Sequence, residues 1–253
     1  MRIRAGGLSD IGQRRKNNED SFSLDERQSF YVVADGVGGQ PAGEIASRLV
    51  TDRLPEFLAK QQGEGKPEEL LGSAISEVND LLRREAERNP AWRGMSTTVV
   101  AAWFRDDEVC LANVGDSRAY LVRGQVLEQL SEDHTVLAEQ QRQGLADVGT
   151  TSRMAHVLTR CLGLESEIEA SLATIAAKDG DRILLCSDGL TDSLSEDVIR
   201  SIILSASGPG EACRMLIELA NRNGGHDNIT VLLIFLEEGT LKTKITNLFG
   251  RRS

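Results

Sequence analysis

The chain has 253 residues, 40% hydrophobic and 27% charged, the composition of a soluble globular protein with enough length to bury its own core. A formal net charge of −10 excludes a general nucleic-acid binder, which needs a basic footprint. Four cysteines with no CxxC pair exclude a zinc ribbon or disulfide scaffold and fit a reducing, cytoplasmic setting.

At the N-terminus, MRIRAGGLSD carries positive charge with no apolar stretch behind it, so no signal peptide is expected. RRKNNEDSF then brings Glu19 and Asp20 to the start of a strand. FYVVADGVGGQ, residues 30–40, runs an apolar strand into Asp35 and breaks into glycines. Its spacing fits no common glycine loop. A dinucleotide fingerprint would need glycine where Pro41 stands, and a P-loop would need Gly-Lys-Ser/Thr. A two-residue hairpin would need a second strand, and a helical pattern follows instead. What remains is a carboxylate at a strand end beside bare backbone, oxygen chemistry suited to magnesium or manganese. Asp-Gly is also an ordinary turn, so the motif alone leaves both readings open.

Residues 42–60 predict a helix with Ile45, Leu49, Leu54, Phe57 and Leu58 on one face. A second helix begins near Pro67, well suited to a first turn, with Leu70, Leu71, Ile75, Val78, Leu81 and Leu82 on one side. The period then shortens to two. STTVVAAWF, EVCLANVG, RAYLVR and QVLEQL, separated by turn signals, predict an antiparallel meander. Further helices are expected at 133–143, 195–206 and 210–222, and strands at 169–176, 182–187 and 228–236. No repeat or long linker divides the chain, so one α+β domain is expected. Its longest apolar run, VLLIFL, is too short for membrane insertion.

The opening acid has echoes. RILLCSDGLTD runs a second strand into Asp188, GGHDNITVLLIF starts a third at Asp227, and LANVGDSRAY holds Asp116 in a turn. With Glu19, Asp20 and Asp35, these acids sit at strand edges, where a sheet could gather them around two divalent cations. Separate turns would use the same residues, so spacing does not decide between the two.

The motif order is more specific. GQRRKNNED, VVADGVGGQPAGEIAS, GMSTTVVAA, ANVGDSRAYLVR, LSEDHT, VLTRCLG, LLCSDGLTD and GGHDNITVLL follow one another across roughly residues 5–236. In that order they resemble the metal-dependent protein serine/threonine phosphatases of the type 2C family, in their compact bacterial form. The resemblance implies a sandwich of two central antiparallel sheets flanked on both faces by pairs of helices. It implies a catalytic domain over residues 1–240, a flap at about 136–158, and leaves a basic tail at 241–253.

It also assigns roles. Asp35 would bridge two Mn²⁺ or Mg²⁺ ions and the Gly36 carbonyl would bind one of them. Asp188 and Asp227 would complete one metal's ligands, and Glu19 and Asp20 would act nearby through water. Arg15 would hold the substrate phosphate, a task suited to its planar fork. Asp116 with Asp188 would form a third, weaker metal site. Gly94, Thr97 and Thr98 would be structural support. A metal-bridging water or hydroxide would attack phosphorus directly. A covalent route lacks its nucleophile, since neither a G-x-S-x-G elbow nor a cysteine-centred phosphate loop is present. Phosphorylated proteins, the products of a cognate serine/threonine kinase, are the expected partners of a monomeric enzyme.

Val37 stands where many eukaryotic relatives carry histidine after the Asp-Gly, so metal-bound water is the expected acid for the leaving group. Of the three histidines, His134 reads as structural, His226 as a loop residue, and His156 as close to the cleft. Two other readings compete. A phosphoprotein-binding module without catalysis would have lost metal acids, which are intact here. An enzyme for small phosphorylated molecules differs only in substrate.

Overall fold

The computed structural model describes residues 1–37, 42–61, 65–145 and 156–238. Two five-stranded antiparallel sheets stack face to face. The first is ordered β1 (Arg2–Asp10), β10 (Ile229–Glu237), β9 (Arg182–Cys186), β6 (Arg118–Arg123), β7 (Val126–Gln129). The second is ordered β2 (Asp20–Asp25), β3 (Phe30–Asp35), β4 (Val99–Arg105), β5 (Glu108–Val114), β8 (Ser171–Ala176). Helices α1 (Gly43–Lys60) and α2 (Pro67–Arg88) cover the second sheet. Helices α5 (Glu196–Ser205) and α6 (Pro209–Arg222) cover the first. Two shorter helices, α3 (Val136–Arg142) and α4 (Asp188–Thr191), lie in the connections. This is the expected α+β sandwich.

Strand alternation creates three cores. In β3, Phe30, Val32 and Ala34 pack with α1 and α2, while Tyr31 and Val33 pack between the sheets. In β10, Ile229, Val231, Leu233 and Phe235 meet α5 and α6, while Leu232, Ile234 and Leu236 face the other sheet. Burial on both faces is why these strands read as unbroken apolar runs. Each fully buried aliphatic side chain contributes roughly 1.5–3 kcal/mol, so the cores can support a rim that packs poorly. Cys110, Cys186 and Cys213 are buried in them as small core residues.

The meander does not form as expected. β4 pairs with β5 and β6 with β7, but β5 turns to β8 while the chain crosses to the other sheet before β6. The crossing is made at Gly115, whose φ of +106° suits glycine, so Asp116 lies in a bridge between sheets and not in a hairpin. β1 and α4 have no counterpart in the sequence reading. Gly6 and Gly7 interrupt β1's pattern for a packing reason. A Cβ at Gly6 would lie 2.9 Å from the Gly210 nitrogen, and one at Gly7 would lie 2.5 Å from the Phe22 ring. The helix expected from 133 starts at Val136, where the Thr135 hydroxyl accepts from the Ala138 N–H at 3.2 Å. The flap lies partly outside the described residues, and the tail at 241–253 lies wholly outside them.

Candidate active site

Parity aims the acids. Tyr31 and Val33 face the space between the sheets, so Asp35, two residues further, leaves β3 on the same side. Asp20 is its cross-strand partner in β2 and shares that side. On the opposite sheet, Ile183 and Leu185 face inward, which carries Ser187 inward too, immediately before Asp188 at the start of α4. Strand ends from both sheets thus pool carboxylates at one end of the sandwich.

The surroundings hold them firmly. The Asp35 N–H donates to the Thr98 hydroxyl at 3.0 Å, while the Asp35 carbonyl accepts from the Thr97 hydroxyl at 2.7 Å and the Thr98 N–H at 2.8 Å. The expected supporting role of these threonines is therefore visible as contacts. Gly36 donates its N–H to the Glu19 carbonyl at 3.0 Å. A Cβ on Gly36 would come within 2.4 Å of the Gly43 backbone, so its glycine lets the strand end meet the start of α1.

A cleft of about 410 Å³ opens over these residues. Arg15, Glu19, Asp35, Gly36, Asp116, Asp188 and Asp227 line it, as expected. Asp20 is placed behind Asp35, one carboxylate oxygen accepting from the Ser187 hydroxyl at 2.8 Å. The Arg15 guanidinium donates to Asp227 at 2.5 Å, so it is tied to a carboxylate of the cleft and keeps its other N–H groups for a ligand.

Three lining residues were missed by the sequence reading or left beside the site. Asn228 accepts from the Glu19 N–H at 2.8 Å and donates to the carbonyls of Ile11 and Asn17 at 3.0 and 2.9 Å. It pins the loop that carries Arg15 and Glu19, and its only signal was adjacency to Asp227. His156 lies within the cleft, its Nδ1 3.8 Å from Asp188 and 3.7 Å from Asp192. Asp192 is the second acid of the DGLTD motif, one helical turn after Asp188. By contrast His226 is exposed and does not line the cleft. Arg153 and Arg160, which the sequence also offers as contacts for a phosphopeptide, are not placed in the cleft: Arg160 lies elsewhere, and Arg153 is outside the described residues.

Electrostatically the cleft is unsettled. Burial, then the charge of Asp20 and Asp188, pushes Asp35 well above the usual carboxylate range. Burial raises Asp20 and Asp116 to about 7, and Asp192 to about 6. The nearby Asp188 carboxylate raises His156 to about 9; at 3.8 Å the contact is too long for a hydrogen bond but favours the imidazolium. One oxygen each of Asp20 and Asp188 is buried with no hydrogen-bond partner among the described residues. Crowded acids with orphaned oxygens fit hard divalent cations.

The fit is uneven across the cluster. Among the described residues, the group whose ligand atoms all lie within 4.8 Å of one another is Asp116, His156 and Asp188. Asp116 and Asp188, paired in the sequence reading, are thus close together here, with the His156 imidazole beside them. Asp227 is engaged instead by Arg15 and by the Asn228 N–H at 2.8 Å.

A two-sheet sandwich that pools acids beside an arginine makes a cleft whose chemistry suits divalent cations and a phosphoryl group. Residues 11–223 match the family model for protein phosphatase 2C. The serine/threonine phosphatase stp of Listeria monocytogenes is 39% identical over 237 residues, covering 89% of this chain and 93% of that protein. PstP of Mycobacterium tuberculosis is 37% identical, covering 91% of this chain and 44% of that longer protein. The crystal structure of the M. tuberculosis phosphatase superposes with a TM-score of 0.85 at 36% identity, over 93% of this chain and 99% of that one. A second structure, the PstP catalytic domain in complex with 2 manganese ions, gives 0.81 at 36% identity over 93% of this chain and 99% of its own. The chain belongs to the protein phosphatase 2C family and is a metal-dependent protein serine/threonine phosphatase.

Proposed function

We propose that this cleft removes phosphate from phosphoserine and phosphothreonine in proteins by direct hydrolysis, with the residues in the following roles. Two divalent cations, manganese as in the PstP complex or magnesium, are held by Asp35, Asp188 and Asp227, and supply a nucleophilic water while offsetting phosphoryl charge. Gly36, Glu19 and Asp20 complete their surroundings, and Asp116 and Asp188, joined by His156 once the ion displaces its ring proton, hold a third, weaker ion. The Arg15 guanidinium binds phosphoryl oxygens with the N–H groups that Asp227 leaves free, so Asp227 orients it. Asn228 fixes the loop beneath both Arg15 and Glu19. Val37 lines the cleft without a proton to give.

The observation that carries this reading is the convergence of Asp20 and Asp35 from one sheet with Asp188 from the other, with oxygens left unpaired. Phosphate release from a phosphothreonine peptide in the presence of Mn²⁺ tests it. Chelation and Asp188→Ala should each abolish release, and a retained rate in either case would overturn the assignment. A kcat/KM on free phosphorylated metabolites above that on the peptide would redirect the substrate to small molecules.

The same reading extends to context. A catalytic domain spanning residues 1–240, with a flap at 136–158 and a basic tail at 241–253, works as a monomer in the cytoplasm. It opposes a serine/threonine kinase. No described helix is long and apolar enough to cross a membrane.

A further inference from the structure

A second cleft, of about 480 Å³, shares no lining residue with the first. Its floor is the inter-sheet core, through Val100, Leu111 and Ala119. Its polar lining includes three donors, Arg160, Ser131 and Ser171. The Arg160 guanidinium has one long contact, 3.4 Å to the Glu169 carbonyl, and no ion pair among the described residues. The Ser131 hydroxyl accepts from the Ala119 N–H at 2.9 Å, which leaves its own hydrogen to give.

Ser171 is in the same position for a less obvious reason. His134 is fully buried, and its Nδ1 accepts from the Gly115 N–H at 3.1 Å. Burial holds the ring neutral, its pKa lowered to about 4, so the single ring hydrogen is on Nε2 and is donated to the Ser171 hydroxyl at 2.9 Å. Ser171 therefore also keeps a hydrogen for an occupant. Asn113 supplies the complement. Both its N–H groups are used, by the Gly115 and Glu132 carbonyls, and its side-chain oxygen is buried without a partner. Of the acids on the rim, Glu132 is paired with Arg142 at 2.7 Å and Glu169 is exposed, so neither buries a charge against an occupant.

We propose that this cleft is a second anion site, taking a carboxylate or phosphate group on Arg160, Ser131 and Ser171, and that its occupancy is transmitted to Asp116 through His134. The path is short. Ser171 bonds His134, His134 bonds the Gly115 N–H, and Gly115 precedes Asp116 of the metal cleft. The His134 carbonyl also accepts from the Thr159 N–H at 2.8 Å, next to Arg160. An acidic side chain of the phosphoprotein substrate and a free organic anion share this chemistry. The kinetic arms below rest on the phosphatase activity.

The test uses Mn²⁺-saturated enzyme with p-nitrophenyl phosphate and two phosphothreonine peptides, one flanked by glutamates and one by glutamines. If the substrate supplies the anion, Arg160→Gln raises KM for the glutamate peptide by about tenfold, as for a lost charge-assisted hydrogen bond, and leaves the other two substrates unchanged. If a free anion does, succinate gives a saturable shift of the Arg160 Nε–H resonance in Mg²⁺-loaded enzyme. It also changes the Mn²⁺ concentration for half-maximal activity, and both responses vanish in Arg160→Gln. Ser131→Ala should weaken whichever response is seen and guards against a misfolded Arg160→Gln. The resonance shift needs no turnover, which separates failure of this site from failure of the catalytic reading. Variants that match wild type on all three substrates, with no saturable succinate shift, overturn the proposal.

Discussion

The Ser187 hydroxyl donates to the Asp20 carboxylate at 2.8 Å across the gap between the two sheets. The same hydroxyl accepts from the Thr230 N–H at 2.9 Å, so one small side chain joins β2, the end of β9 and β10. Ser187→Ala strands a buried acceptor and a buried donor together. The expected cost is about 1–3 kcal/mol of stability, together with weaker metal affinity and a kcat near wild type at saturating Mn²⁺. Urea midpoints and Mn²⁺ titrations of activity check both parts. An unchanged midpoint would mean that the contact is dispensable.

Arg15 serves two partners, and its removal should show in two measurements. Arg15→Ala is expected to raise KM for a phosphopeptide by at least about tenfold, since a charge-assisted contact to phosphate is lost. It should also change the Mn²⁺ dependence, because Asp227 loses the group that orients it. Arg15→Lys would restore charge without the planar fork and recover only part of the affinity.

Without metal, the pooled acids oppose folding. Burial raises Asp20 to about 7, so the folded state binds its proton more tightly than the unfolded chain does. The stability this contributes is complete below the ordinary carboxylate range and is lost as pH rises through about 7. Chelated wild-type enzyme should therefore melt lower at pH 8 than at pH 5, and Asp20→Asn should flatten that decline. The variant is expected to be more stable than wild type under chelation and less active in Mn²⁺. Differential scanning calorimetry at both pH values decides the matter.

His134 tilts the balance the other way. Its folded pKa is lowered to about 4 by burial, so the unfolded chain binds the proton more readily. The stability from keeping it neutral is present above about 6.5 and lost as pH falls through about 4, on the order of 3 kcal/mol in total. Urea midpoints of wild type should fall more steeply than those of His134→Gln across that window. Parallel curves would show that the ring is protonated without cost.

Much of this was legible in sequence because burial on both faces leaves unbroken apolar strands, and acids that end such strands stand out. β3, β9 and β10 announced Asp35, Asp188 and Asp227 in that way. The crossing at Gly115 was hidden, since a change of sheet and a hairpin use the same turn residues. β1 was hidden because Gly6 and Gly7 answer to Gly210 and Phe22, partners far away in sequence. Asn228 was obscure for a similar reason. It acts through contacts with loops remote in the chain, which no local period records. The sequence set the metal acids in one group, whereas the structure holds Asp227 on Arg15 and gathers Asp116, His156 and Asp188 closely.

The split of β3 between two cores bears on how the enzyme can diverge. Replacements at positions 30, 32 and 34 fall on the helix layer, where neighbours can absorb them by repacking. Those at 31 and 33 fall on the gap that leads to Asp35, and disturb the spacing of the acids themselves. Lineages can therefore exchange their outer helices' apolar partners freely while the inner register stays frozen, and a mutational scan along this one strand should alternate between loss of yield and loss of turnover.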